Sequence, residues 1–321
     1  MQIRADTTDL LGIAAAVDAA SRAGVFTDLL ANGAVGSEGL CERLGLSARG
    51  FGAVAEVLLS LGLLTRDAQG RWSVGAEAAA LEQRMPGAVS LAGTLFAGAP
   101  SLLETGAPVI VMDGAGAERA AVYSQAVSGL AGLFQGAAGA FAEQLGPVAG
   151  AILDVGCGSG IWSLAVARRS PSASVTGLDL PGVAEVFLRH AADAGLADRA
   201  RAWSEDAHSF AFPRAEFDLV ILANVLRLEP AARAASLVAR AGSAVKPGGR
   251  LVIIDALAEG TAEKDVARAV YGLHLALRTT HGTVHAPSSI SDWLQTAGFA
   301  SISRLDFGHH PGAVAAIIGR R

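Results

Sequence analysis

The sequence predicts an α/β chain: a Rossmann-like parallel sheet over residues 146–321, an all-helical winged-helix domain with a hairpin wing over 1–100, and a helical linker over 101–145. Three observations predict it. The run Ala151–Gly160 carries an apolar strand straight into a glycine turn. Beyond it, short apolar runs alternate with helix-period segments, the pattern of parallel strands joined by crossover helices. Ahead of residue 100, three helix-period segments are followed by a strand, a Gly-containing turn and a second strand.

Taken in order, Leu10 to Leu30 has apolar residues at helix spacing and stops at Asn32-Gly33. Ser37 to Leu44 is a short helix with a polar start and a glycine stop at Gly45. Ser47 caps a third helix running to Leu61, and Gly62 to Val74 is the hairpin. This order raises a DNA-binding reading. The candidate recognition helix, however, offers only Arg49 and Glu56 as charges among Ala, Val, Leu, Phe and Gly. Such a surface neither reads base edges nor neutralises phosphates, and it suits an apolar interface. Ser124 to Leu145 follows as the linker helix. Its stripe is Val127, Leu130, Leu133, Phe134, Phe141 and Leu145, and Gly129, Gly132, Gly136 and Gly139 lower its helix propensity and permit close backbone approach.

In the C-terminal part, Asp154 stands just before the glycine turn. Gly156, Gly158 and Gly160 let the backbone bend tightly and lie against a ligand. A dinucleotide fingerprint wants its third glycine where Ile161 stands, and a P-loop wants a Gly-Lys-Ser/Thr end; neither phosphate reading fits. Ser174–Asp179 is a second buried strand ending in an acid 25 positions after Asp154, suited to accept both ribose hydroxyls of an adenosine ligand. A third acid, Asp206, follows one more helix. Glu216–Asn224 is then the fourth strand, and Lys246–Asp255 is a turn plus a buried strand. Taken singly, Asp179 or Asp206 reads first as a helix cap or solvated turn residue.

Composition bounds the partners. The 321 residues are 51% hydrophobic with a net charge of −5, which supplies cores for two parts and no basic stripe for nucleic acid. Cys41 and Cys157 are far apart, so reduced thiols in the cytoplasm are expected, with Cys157 a small packing residue. Asp6, Asp9 and Asp18 interrupt the N-terminal apolar residues, against a signal peptide. No uncharged apolar run approaches the ~18 residues a bilayer span needs, so no membrane partner is expected. Positive charge is almost wholly arginine, with lysine only at 246 and 264.

The order of glycine turn, ribose acid, adenine-edge acid and apolar strand resembles class I S-adenosylmethionine-dependent methyltransferases. With the winged-helix part and helical linker in front of Asp154-Val-Gly-Cys-Gly-Ser-Gly160, nearly the whole chain is similar to the plant-type and bacterial small-molecule O-methyltransferases, the acetylserotonin or caffeate O-methyltransferase-like family. The resemblance implies a homodimer built through the N-terminal domain, a small-molecule substrate, and S-adenosylmethionine as cofactor. The linker stripe fits that dimer, or alternatively packing against the catalytic part. By the same resemblance, Asp154, Gly156, Gly158 and Gly160 hold the methionine portion, Asp179 the ribose, Leu180 the adenine face, and Asp206 with Ala207 the adenine edge.

The catalytic signature departs from that family. Where its His-Asp-Trp run carries the base, this chain has Asn224-Val-Leu-Arg227-Leu-Glu229, so Arg227 stands in the histidine's place. A guanidinium stays protonated and is no general base. The family's supporting acid falls near Val284, so that role is missing too. Substitutes lie on the helix expected from Asp265 to Thr280, where Tyr271, His274 and Arg278 share a face beside the apolar Val270, Leu273 and Leu277. His274 is the first candidate base and His285 the second; both also read as hydrogen-bonded wall or surface residues. Gly282 breaks the alignment that His281 and His285 would need for a metal, so none is expected. His309 and His310 read as surface, and Trp162 and Trp203 as core or cofactor-flanking residues. The leading function is methyl transfer, to oxygen by family, with carbon or nitrogen open because the histidine is absent. The alternatives are a cofactor-binding relative running a pericyclic or hydroxylation reaction, and a transcriptional regulator.

Overall fold

The computed structural model describes residues 7–84, 88–114, 116–257, 266–307 and 314–321. Asp6, Lys264, Asp265, His309 and His310 lie outside the described residues. The chain divides into two compact units, Met1–Gly106 and Ala107–Arg321.

In the first unit, the helix expected from Leu10 to Leu30 is two: α1 (Thr7–Arg22) and α2 (Val25–Asn32). Gly24 separates them at φ 75°, a left-handed conformation that a helix interior cannot hold. The unit is not all-helical. β1 (Val35–Gly36) leads into α3 (Ser37–Leu44) and then α4 (Ala48–Ser60), capped by Ser47 Oγ accepting the Gly50 N–H at 3.3 Å. β2 (Leu64–Arg66) and β3 (Arg71–Val74) form the expected hairpin, and β1 pairs on the other side of β3 to make a three-stranded antiparallel sheet. A two-residue strand is too short to announce itself by alternation. Three helices follow: α5 (Ala76–Arg84), α6 (Ala88–Ala97) and α7 (Ala99–Thr105). Phe26, Leu40, Phe51, Leu58 and Trp72 make the core, and Trp72 satisfies its indole N–H on Ser37 Oγ at 2.8 Å.

The second unit opens with α8 (Gly116–Leu145), which starts eight residues before the expected Ser124. Its stripe is buried within the unit, with Phe134, Ala138, Phe141 and Leu145 packed over the sheet, which answers the packing alternative for that half of the helix. A Cβ on Gly136 or Gly139 would meet nothing within 4 Å, so these glycines serve no close approach among the described residues.

Next come β4 (Ala151–Val155), α9 (Ile161–Arg168), β5 (Ser174–Asp179), α10 (Val183–Asp193), β6 (Ala200–Ser204) and β7 (Phe217–Ala223). They are followed by α11 (Ala231–Gly242), β8 (Val245–Ala256), α12 (Val266–Ala276), α13 (Pro287–Thr296), β9 (Ser301–Leu305) and β10 (Val314–Arg320). The seven strands run β6-β5-β4-β7-β8-β10-β9, with β10 alone antiparallel to its neighbours. The turn expected at Lys246–Gly249 is instead a bulge inside β8: Phe217 pairs with Val245 but Leu219 with Arg250. Period-two alternation sends Ile152, Leu219 and Ile221 to the face under α8, α9 and α10, and Leu153, Val220 and Leu222 to the face under α11 and α13. Trp162 belongs to the first core, edge-on to Phe141 and Phe307 at 5.9 and 5.7 Å. Trp203 packs beside Phe210 and Phe217. Trp162 is a core residue, and Trp203 is half-buried against the second core.

Candidate active site

Strand order reverses between β4 and β7, and in an open parallel sheet the crevice at such a switch point is where ligands bind. The turn after β4 is built from left-handed backbone: Gly156, Gly158 and Gly160 have φ of 68°, 54° and 72°. A Cβ on Gly156 would stand 2.5 Å from Val225 Cγ2, and one on Gly160 2.5 Å from the Phe187 ring, so both are held by packing as well as conformation. Gly158 is more open, with Val127 Cγ1 at 3.5 Å from a built Cβ. Backbone bonds pin the turn to β5: the N–H groups of Gly156 and Cys157 donate to the Leu178 carbonyl at 2.8 and 3.2 Å. Cys157 is buried, which pushes its thiol well up and keeps it an inert packing group.

The three acids have different surroundings. Asp154 is 1% exposed and receives the Ser163 hydroxyl from α9, so it ties strand to helix rather than facing open space. Burial raises its carboxyl to about 7, against the Ser163 bond that lowers it. Asp179 takes the Gly158 N–H on Oδ2 at 2.8 Å and the Leu180 N–H on Oδ1 at 2.7 Å. Each oxygen keeps a lone pair, so the carboxylate can still accept one hydroxyl at each end, which is the donor set a ribose presents. Burial pushes its carboxyl up while those two N–H groups pull it down. Asp206 is exposed and accepts the His208 N–H at 2.8 Å, the solvated-turn arrangement; Ala207 beside it is half-buried. The glycine cradle and the half-committed Asp179 thus fit S-adenosylmethionine.

A second group of polar side chains gathers after β7. Asn224 sits at φ 60°, an uncommon conformation for a residue with a side chain. Its Oδ1 accepts Arg227 Nη1 at 2.8 Å. Arg227 is buried, 3.5 Å from Asp255 Oδ1 at the end of β8, and its guanidinium lies 5.6 Å from the Tyr271 ring centroid. Burial pushes the Asp255 carboxyl up, while Arg227 and two backbone N–H groups lower it.

His274 and Arg278 are on the same side of this segment as Tyr271, which meets His274 edge-on at 6.2 Å and receives Arg278 Nη2 at 3.3 Å. Among the described residues the helix runs Val266–Ala276 and stops short of Thr280; Leu275 and Leu277 are buried, whereas Val270 and Leu273 are 46% and 40% exposed. The expected apolar face is therefore split. His274 is lowered to about 4, first by burial and then by the charges of Arg278 and Arg227, so it is a neutral imidazole at neutral pH. His285 is buried with Nε2 facing the carbonyls of Leu226 and Glu229 at 2.9 and 3.2 Å, so that nitrogen carries the proton and ties the Arg227 loop. His281 is exposed, and its N–H donates to Asp113 at 2.7 Å.

Sequence reasoning passed over several residues here. Glu229 is 3% exposed and gathers Arg119 of α8, His208 of the Asp206 loop and Arg233 of α11 at 3.2, 2.9 and 3.1 Å. This ties the Asp206 loop and α8 to the Arg227 loop. Tyr123 of α8 is half-buried near Arg119, Arg227 and Arg278, and desolvation raises its phenol against their charges. Arg119 and Tyr123, four apart, carried the signal of a polar patch on an otherwise apolar helix.

Residues 152–249 match the family described as "Methyltransferase domain". A tetracenomycin polyketide synthesis 8-O-methyl transferase of Streptomyces glaucescens is 26% identical over 82% of this chain and 81% of its own. An aclacinomycin 10-hydroxylase of Streptomyces purpurascens is 33% identical over 49% of this chain and 41% of its own. Among solved structures, human N-acetylserotonin methyltransferase in complex with S-adenosylmethionine superposes with a TM-score of 0.68 over 100% of this chain and 99% of that one, at 20% identity, a likeness of fold.

The Asp154 environment has a measurable signature. A carboxyl raised in the folded state binds its proton more tightly there than in the unfolded chain, so its contribution to stability falls as pH rises from about 4 to about 7. Asp154→Asn keeps an acceptor for Ser163 and removes the titration. Its stability relative to wild type, measured by urea unfolding, is expected to improve steadily from pH 4 to pH 7; a constant difference would show that Asp154 titrates normally.

Proposed function

We propose that this chain, with its methyltransferase-domain match over residues 152–249 and its likeness to an O-methyl transferase along most of its length, is an S-adenosylmethionine-dependent small-molecule methyltransferase that transfers the methyl group to an oxygen of a secondary metabolite bound beside Arg227 and His274. Bound at the glycine turn, the cofactor supplies an electrophilic methyl on sulfur that needs little activation. The protein's work is then to position the acceptor in line, exclude water and dispose of a proton. The observation that carries the reading is the paired arrangement near the switch point: a ribose-type carboxylate, Asp179, at the end of β5, and Arg227 of the segment after β7 grouped with Tyr271 and His274 of α12. In this reading Gly156, Gly158 and Gly160 curve around the methionine portion, Asp179 holds the ribose, Leu180 packs on the adenine, and Asp206 with Ala207 meets its edge. Asp154 acts one step back, through Ser163.

Arg227 anchors the acceptor by paired hydrogen bonds. His274 takes the acceptor's proton, since its neutral imidazole is the basic form throughout the neutral range. His285 orients the Arg227 loop. Its Nε2 is committed to two carbonyls, which leaves His274 as the favoured base.

A second reading keeps the cofactor and drops the transfer. It is favoured by the likeness to the 10-hydroxylase and by the arginine at the usual base position. Mass spectrometry separates the two: one added methyl and one equivalent of S-adenosylhomocysteine per turnover is the expected result.

We further propose that residues 1–100 form a winged-helix domain used for homodimerisation and not for DNA, and that the enzyme is cytoplasmic, in keeping with two buried free cysteines. Leu10, Leu11 and Leu103 are 55%, 68% and 89% exposed, apolar surface that a partner would cover. No single helix among the described residues is long and apolar enough to cross a membrane.

Three results are expected. Calorimetry should show Asp179→Ala weakening S-adenosylhomocysteine binding by about 1.5–3 kcal/mol, the loss of charge-accepting hydrogen bonds to two hydroxyls; unchanged affinity removes the cofactor assignment of that residue. Arg227→Ala should raise the acceptor KM with cofactor affinity intact, whereas His274→Ala should depress kcat at constant KM. An Arg227→Ala enzyme with unaltered KM would place the acceptor elsewhere. Light scattering at micromolar concentration should report a dimer burying more than ~2,000 Å², and a folded monomer contradicts the assembly.

A further inference from the structure

Two buried guanidinium groups face the same aromatic ring. Arg227 lies 5.6 Å from the Tyr271 ring centroid, and Arg278 donates to Tyr271 Oη at 3.3 Å. They are 6% and 9% exposed, and the Nε of each is buried with no hydrogen-bond partner. Arg227 has a counter-charge in Asp255 at 3.5 Å. Arg278 has no carboxylate partner among the described residues: its polar neighbours are Tyr271 Oη and, at 3.6 Å, Met112 Sδ. Tyr123 is half-buried near both arginines, and His274 feels the charge of both.

A guanidinium does not discharge itself at any workable pH, so Arg278 keeps its charge in a dry setting, which is strongly unfavourable without a partner. The two arginines also repel each other. Natural chains keep such an arrangement where a ligand completes it. The unfilled demand is specific: of two positive charges, Asp255 answers one, leaving a single negative charge missing and two Nε–H donors unmet. A planar monoanion with two acceptor oxygens satisfies both.

We propose that Arg227 and Arg278 form a two-guanidinium clamp for a carboxylate on the acceptor, with Tyr271 between them. The acceptor is therefore an aromatic or polyketide-type acid, not a neutral phenol. This rests on reading the crevice beside Arg227 as the acceptor site. Binding of the acid matches the charge of Arg278, one of the two charges that add to burial in lowering the neighbouring His274 imidazole, so the bound acid makes that base stronger.

The test uses the full-length protein, with and without saturating S-adenosylhomocysteine. Benzoate, 3-hydroxybenzoate and 2-naphthoate are titrated calorimetrically against their primary amides, which match them in shape and lack the charge. At least one acid is expected to bind roughly tenfold or more tightly than its amide, a preference of about 1.4 kcal/mol. In Arg278→Met that preference should vanish with S-adenosylhomocysteine affinity unchanged. The ligand-free variant should melt higher than wild type by roughly 2–4 °C, because a buried unmatched charge has gone. Acids that bind no better than their amides, or a preference that survives in Arg278→Met, overturn the clamp. Loss of S-adenosylhomocysteine binding by the wild-type protein would instead sink the cofactor reading, and the acid–amide comparison without cofactor still decides the clamp.

Discussion

The contact on which the rest of the site depends is the one between the end of β5 and the glycine turn after β4. Leu178 O receives two N–H groups of the turn, and the next residue, Asp179, receives a third from Gly158. A tight left-handed turn leaves its amides pointing outward, and amides without acceptors in a buried position are expensive. Using β5 to satisfy them fixes the turn's shape and at the same time aims the Asp179 carboxylate at the crevice. The Asp154–Ser163 bond does the same from behind by tying β4 to α9. Ligand recognition and the stability of the strand-to-helix joint are therefore one set of bonds.

The other side of the crevice is governed by charge. The charges of Arg227, Arg278 and Arg119 act on Tyr123; Arg227 and Arg119 have carboxylate partners in Asp255 and Glu229 at 3.5 and 3.2 Å, and Arg278 has none among the described residues. Burial first, and then the charges of Arg278 and Arg227, hold His274 neutral.

Glu229 extends this arrangement beyond the crevice. One carboxylate joins a residue from the Asp206 loop, one from the long helix α8 and one from α11. Asp206 is itself exposed and solvated, so its loop owes its placement to His208 and to Arg240, which donates to the carbonyls of Ala207 and His208. The Asp206 loop and the Arg227 loop are thus joined through the buried Glu229 carboxylate.

Much of this was legible in the residues alone. Alternating apolar runs and the three spaced glycines specify parallel strands and a left-handed turn, because local sterics allow few other conformations, and Ser47 capping α4 is local in the same way. Misreadings arose where a single backbone conformation or a distant pairing decided the outcome. Gly24 broke a helix whose apolar period continued through it, the Pro-Gly-Gly of β8 became a bulge because β7 demanded pairing on both sides of it, and two-residue β1 exists only by virtue of β3. For the site, the sequence by itself determined which chemistry was present: glycines, a carboxylate after β5, and an arginine where the related enzymes carry histidine. Only the tertiary structure decided which of those groups are matched. Residues separated by tens of positions, such as Arg227 with Asp255, His285 with Leu226 and Arg278 with Tyr123, meet through strand order and helix packing. Burial then sets whether an acid such as Asp154 holds its proton near neutrality and leaves the Arg278 Nε without a hydrogen-bond partner.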